Sequence, residues 1–197
     1  MDPVNLIFGL LGLAGTAGTF YFGIKAKTLE RQRHRFSWED ISKGSQSLAR
    51  KCIKQFKPDA ILTFSGAGSV IANLALLESH QYLPIYTVIE IKRGALNSPS
   101  EIAGYTKLET AKWLLFFPEA LSHVKHQRLA VIHDCTVSGD GLALIRSELL
   151  AMGFKAENIK LAVLICSQVS IDCKKPPDIY VHCLEHATFD FPWGERI

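Results

Sequence analysis

The stretch from Arg128 to Leu149 constrains this chain more than any other. It opens on an unbroken apolar run, Leu129 to Ile132, and passes through a short polar segment, His133 to Gly141. Apolar residues then resume at helical spacing, as Leu142, Ile145 and Leu149. A continuous apolar run reads as a strand buried on both faces, and spacings of three and four read as a helix with one apolar side. A buried strand, a turn holding glycine and a helix that begins at the turn form the unit from which parallel α/β sheets are assembled. The same unit suits an anion, because turn N–H groups and the positive end of the helix converge on one spot. Asp134 falls just past the strand's carboxyl end. There it is placed to accept hydrogen bonds from sugar hydroxyls or to hold water around Mg2+.

The same pattern occurs earlier. Ser37 with Asp40 has the form of a capping box opening a helix, with Trp38, Ile41, Leu48, Cys52 and Phe56 as its apolar face and Pro58 as its stop. Asp59 to Phe64 then reads as a buried strand running into Ser65, Gly66, Ala67 and Gly68, and a second helix follows from Val70 to about Glu78. Pro84 to Ile91 alternates like a strand, Lys92 to Lys107 is polar, and Trp113 to Phe117 is apolar again. Pro118 to Gln127 is a short helix or a connection. Beyond the central unit Gly153 ends the helix, and Lys160 to Cys166 and Asp178 to Cys183 read as the last two strands of the sheet.

The central segment resembles the ribose-phosphate motif of type I phosphoribosyltransferases: apolar residues, two acids, a short variable piece, then Thr-Gly-x-Thr. Here the positions read His133, Asp134, Cys135, Thr136, Val137, Ser138, Gly139, Asp140, Gly141. The second acid, the hydroxyl before the glycine and the glycine itself match. The first acid is His133, the acid usual before the Thr-Gly pair is Val137, and the final hydroxyl is Gly141. The loop Ser65 to Gly68 is similar to the family's pyrophosphate loop, about 70 residues upstream in family order, where glycine lets backbone approach an anion. A plain βα turn accounts for either loop alone. The resemblance implies an α/β sandwich with a mostly parallel sheet. Thr136 to Gly141 would hold a 5-phosphate, Ser65 to Gly68 a pyrophosphate, and Asp134 with His133 the ribose hydroxyls or metal-bound water. The polar stretch Lys92 to Lys107 corresponds to the family's flexible flap, where Lys92 and Arg93 would meet pyrophosphate; a solvated loop explains them equally well. The tail Phe191-Pro192-Trp193 resembles that of bacterial purine phosphoribosyltransferases, which stack aromatic residues on the base; a plug over the sheet edge is the alternative. At Gly139 a Cβ is expected to disturb ligand binding and leave the fold largely intact.

The N-terminus sets a different condition. From Val4 to Ile24 no residue is charged, and about 20 such residues cross a hydrocarbon layer of ~30 Å. Lys25, Lys27, Arg31, Arg33 and Arg35 follow, and the positive-inside rule puts that flank in the cytoplasm. The expected organisation is a single-pass anchor over 1–27, a basic linker over 28–37 and a cytoplasmic domain over 38–197. A helix buried in a soluble fold is the alternative. Ala14 with Gly18 and Gly15 with Thr19 would let two such helices pack closely, so self-association is allowed. A net charge of +3 does not indicate nucleic acid. The five cysteines form no CxxC pair and suit reduced thiols. His182 and His186 would face together on a helix and bind zinc, but the alternation around His182 argues for a strand.

Two functional classes follow from the resemblance, besides a scaffold that keeps the fold without any ligand. One is a membrane-anchored domain that binds phosphoribosyl pyrophosphate or a nucleotide as a sensor or effector, for instance in a bacterial defence or regulatory system, with or without a partner protein. The other is an active, Mg2+-dependent nucleobase phosphoribosyltransferase that releases pyrophosphate. The anchor and the missing acids favour the first.

Overall fold

A computed structural model describes residues 34–96, 98–185 and 188–195. The apolar run 4–24, the anchor expected over 1–27, most of the basic linker and His186 lie outside the described residues. Among the described residues no helix is long and apolar enough to cross a membrane.

A two-residue strand, β1 (His34–Arg35), comes first and belongs to a small unit taken up below. The large unit spans Phe36–Ala187. Its first helix, α1 (Trp38–Leu48), begins at the expected capping box: the Asp40 amide donates to Ser37 Oγ at 3.2 Å and the Ser37 amide donates to Asp40 Oδ2 at 2.8 Å. The helix continues in a wider π-type winding over Ala49–Phe56 and stops at Lys57, whose φ of 52° breaks the repeat just before Pro58. Ile41, Leu48, Cys52 and Phe56 form the buried stripe, but Trp38 is 57% exposed. Cα–Cβ bonds tilt toward the helix N-terminus, so a side chain at the first position projects past the helix instead of onto its packed face.

Five strands follow the expected runs closely: β2 (Ala60–Phe64), β3 (Ile85–Lys92), then β6 (Leu129–Thr136), β7 (Ile159–Ser167) and β8 (Ile179–Leu184). Between β3 and β6 the chain adds a hairpin, β4 (Tyr105–Glu109) and β5 (Trp113–Pro118). The seven-stranded sheet has the order β4-β5-β3-β2-β6-β7-β8. Every pairing from β3 to β8 is parallel, while β5 is antiparallel to both β3 and β4. Helix α2 (Ala67–Ser79) connects β2 to β3, α3 (Asp140–Ala151) connects β6 to β7, and a one-turn α4 (Gln168–Asp172) follows β7. Parallel neighbours need crossovers of this kind, and the hairpin supplies the antiparallel edge with a turn of three residues. Part of the stretch expected as a flap is thus ordered strand at both ends, Lys92 closing β3 and Tyr105 opening β4.

Strand β6 runs four residues beyond the apolar run that marked it. Its partner β7 is apolar from Leu161 to Cys166 and continues the register to Thr136↔Cys166, so the ladder carries His133 and Asp134 into the sheet as buried residues. The core on the α3 side joins Phe64, Leu115, Phe117, Val131, Ile145 and Leu149. Full burial of such a side chain contributes about 1.5–3 kcal/mol.

The small unit pairs β1 in parallel with β9 (Phe189–Phe191), which is antiparallel to β10 (Gly194–Glu195). Two residues expected in the linker, His34 and Arg35, are therefore strand. Arg35 Nε lies 3.5 Å from Asp190 Oδ2, and Trp193 stacks on Phe191 with ring centroids 4.5 Å apart.

Candidate ligand site at the end of the central strand

Strand β6 ends in a cavity of about 420 Å³. Phe64, Glu90 and His133 come from the carboxyl ends of three parallel strands. Thr136, Ser138, Asp140 and Gly141 come from the turn and the start of α3, while Thr110 to Trp113 come from the hairpin. Ligands of open parallel sheets bind at this edge, because there the strands end and the helix N-termini begin.

His133 and Asp134 take unequal places. Asp134 is completely buried. Its Oδ1 accepts from the Cys135 amide at 2.8 Å and lies 2.5 Å from His133 Nδ1. His133 stands in front of it, on the cavity wall, with its ring tilted against Phe64 at 4.6 Å and Nε2 3.8 Å from Glu90 Oε2. The group offered to a ligand is therefore the imidazole, with one carboxylate behind it and another beside it. Asp134 lies against His133 Nδ1 and is not part of the cavity wall. Glu90 went unrecognised in the sequence because it occupies an ordinary alternating position of β3.

The turn is fixed from outside the motif. Ser167 Oγ donates to the Val137 carbonyl at 2.5 Å, holding the turn to the end of β7. Ser138 Oγ donates to Asp140 Oδ2 at 2.9 Å and accepts from the Asp140 amide at 3.3 Å. Lys175 Nζ lies 2.6 Å from Asp140 Oδ1. Hydrogen bonds from Lys175 first and Ser138 second hold the Asp140 carboxyl below its ordinary pKa, so at neutral pH its charge is answered before a ligand arrives. Gly139 has φ +81°, and no side chain caps α3 there. Ser138 Oγ takes the Asp140 amide; the next first-turn N–H groups of α3, those of Gly141 and Leu142, have no acceptor within the helix, the arrangement that suits an anion. A Cβ on Gly139 would collide with the Lys175 carbonyl and come within 2.6 Å of the Lys175 Cβ. The expectation that substitution there leaves the fold intact is accordingly corrected: the close approach is to protein backbone. Gly141 has nothing within 4 Å of its would-be Cβ.

The earlier loop is engaged differently. Ser65 Oγ accepts from the Glu90 amide at 3.0 Å, tying the loop to β3. Gly66 takes φ +81°, Ala67 is buried, and a Cβ on Gly68 would press on Thr63 Oγ1 at 3.1 Å and Phe64 Cβ at 3.3 Å. Gly68 is thus explained by close packing of α2 on β2. The cavity takes Phe64 and Glu90 from this region, but not Ser65, Gly66, Ala67 or Gly68. Arg93 clasps the hairpin, its Nη1 donating to the Thr110 carbonyl at 3.3 Å and its amide to that of Lys112 at 2.9 Å. Lys92 closes β3 opposite Trp113. The hairpin cation that lines the cavity is Lys112, which no local pattern in the sequence marks. Trp193 belongs to the small unit.

The donors do not make a Mg2+ cage. Asp134 is buried, Asp140 is paired with Lys175 and Ser138, and Glu90, the other carboxylate of the wall, lies beside His133. Mg2+ needs near-octahedral oxygen ligands, and a phosphate-bearing ligand would have to bring most of them. Among the described residues no group of three His, Cys, Asp or Glu is placed to hold a metal ion. His182 lies in β8, packed at 5.4 Å against Phe36.

No protein family matches this sequence, and no curated protein matches it. Solved structures do. A purine phosphoribosyltransferase from Pyrococcus horikoshii superposes with a TM-score of 0.60 at 19% identity, over 84% of this chain and 97% of that one. A Helicobacter pylori xanthine-guanine-hypoxanthine phosphoribosyltransferase gives 0.56 at 16% identity, over 82% and 94%. A hypothetical protein from Neisseria gonorrhoeae with bound ppGpp gives 0.58 at 19%, over 82% and 89%. With a parallel sheet, an antiparallel hairpin at its edge and a glycine turn after the central strand, the chain has the fold of the type I phosphoribosyltransferases.

Proposed function

We propose that this protein binds a ribose phosphate, either phosphoribosyl pyrophosphate or a nucleotide, and works as a sensor or effector with slow or absent transfer chemistry. One observation carries the reading: an imidazole occupies the wall position at the end of β6, and the motif's remaining acid is buried behind it. Displacing pyrophosphate from C1 of a ribose develops positive charge on the sugar. Preorganised negative charge stabilises that state, and loss of one such group costs on the order of 10²–10³ in rate. An imidazole supplies no negative charge in either protonation state, though it still hydrogen-bonds a hydroxyl. The anion-binding part survives in the Gly139 turn and the start of α3. The Neisseria structure with ppGpp supports a nucleotide as ligand.

Calorimetry with phosphoribosyl pyrophosphate plus Mg2+, and with guanosine nucleotides including ppGpp, tests the binding. Saturable binding with pyrophosphate release near background is expected across a panel of nucleobases. Rapid release with any ordinary base would make the protein a transferase and overturn the reading. Glu90 is the observation that favours that alternative, since it restores a carboxylate beside the wall.

The same proposal keeps the membrane anchor of residues 4–24, with the sheet on the cytoplasmic side. Nucleobase salvage by a small enzyme needs no tether, whereas a sensor at a membrane does. Carbonate washing of membranes should leave the full chain in the pellet; its release into the supernatant would count against an integral anchor.

A further inference from the structure

We infer that Trp113, presented by the β4–β5 hairpin, is the platform on which a planar ring of the ligand, a nucleobase, stacks. The inference rests on the ribose-phosphate reading of this cavity and adds the part of the ligand that reading leaves open. The cavity lining mixes two chemistries: Glu90, His133 and Ser138 are polar, whereas Trp113, Leu115 and Ile145 are apolar. A sugar phosphate is polar throughout. Laid against these apolar residues, its hydroxyls would lose water without gaining partners. A volume of about 420 Å³ falls within the range of sites that enclose ligands of drug or nucleoside size.

Trp113 is also held as a platform should be. It is 41% exposed, while the rest of its strand, Leu114 to Pro118, is buried. Its amide donates to Thr110 Oγ1 at 2.8 Å, and its carbonyl accepts from the Thr110 amide at 2.9 Å. Pairing with Lys92 fixes the backbone from the other side. A large aromatic side chain on a fixed backbone loses little conformational freedom when a ring lies on it. Stacking accepts any base, so Trp113 would give affinity for nucleotides over sugar phosphates without choosing the base.

Calorimetry on the full chain with ribose 5-phosphate, adenosine 5′-monophosphate and guanosine 5′-monophosphate tests this. The parent should bind both nucleotides more tightly than ribose 5-phosphate. Trp113→Leu should weaken the nucleotides by about tenfold or more and leave ribose 5-phosphate within about twofold. Trp113→Phe should recover most of the loss. A chain with Trp38→Phe and Trp193→Phe, in which Trp113 is the remaining indole, should be quenched by nucleotide and not by ribose 5-phosphate. Equal weakening of all ligands by Trp113→Leu, or loss on Trp193→Leu instead, would overturn the assignment. A parent that binds ribose 5-phosphate with no gain from a base would overturn it and leave the ribose-phosphate reading standing. A parent that binds none of the three would remove both.

Discussion

Replacing Gly139 with alanine adds one carbon at the point where the motif turn meets the segment after α4. Two costs arise together. The residue sits at φ +81°, a left-handed conformation that costs an L-residue with a Cβ roughly 1–2 kcal/mol. The new carbon also runs into the Lys175 carbonyl, and forcing backbone aside in a packed region costs about 1–3 kcal/mol. The expected loss is therefore about 2–5 kcal/mol. For a folded unit of this size each kcal/mol lowers Tm by about 2–4 °C, so the fall should be roughly 4–20 °C. Gly141→Ala, two residues on, is the internal control. Its Cβ meets nothing, it lies in the first turn of α3, and alanine is the better helix former by up to about 1 kcal/mol. Thermal denaturation followed by circular dichroism should separate the two, with Gly139→Ala far below the parent and Gly141→Ala level with it or above. A Gly139→Ala protein that melts with the parent would show that the turn does not pack on Lys175, and would refute the reasoning.

Three further outcomes are expected. Ser167→Ala removes the donor that holds the Val137 carbonyl; it should cost about 1 kcal/mol in stability, and ribose-phosphate affinity should fall in calorimetry as the turn loosens. Asp134→Ala removes the 2.8 Å acceptor of the half-buried Cys135 amide together with the buried carboxylate beside His133 Nδ1, at a cost of about 1–3 kcal/mol in urea denaturation. If the protein keeps parental stability, His133 and Cys135 do not depend on Asp134. The thiols should divide by environment under an aromatic disulfide at pH 8. Cys173 and Cys183 are exposed and should react promptly. Burial pushes Cys52 up to about 12 and raises Cys166, so both should wait for unfolding.

Local pattern was enough for much of the fold. The runs at Ala60–Phe64, Leu129–Ile132 and Ile159–Cys166 could not be solvated, so they had to be strands buried on both faces. Ser37 with Asp40 and Gly139 before Asp140 mark helix starts through groups within a few residues of each other. Features of that range can be read from a sequence because their partners stand beside them in it. The length of β6 depended instead on β7, which supplied a register partner past the last apolar residue. The site depended still more on long-range placement. Asp134 is sealed because β6 continues, Glu90 reaches His133 from another strand, and Ser167 and Lys175 hold the turn from beyond α3. Trp113 and Lys112 reach the cavity on a hairpin whose pairing with β3 no local spacing announces. Sequence period reports which side of an element is apolar; which elements then face one another is decided when the sheet closes its ladder.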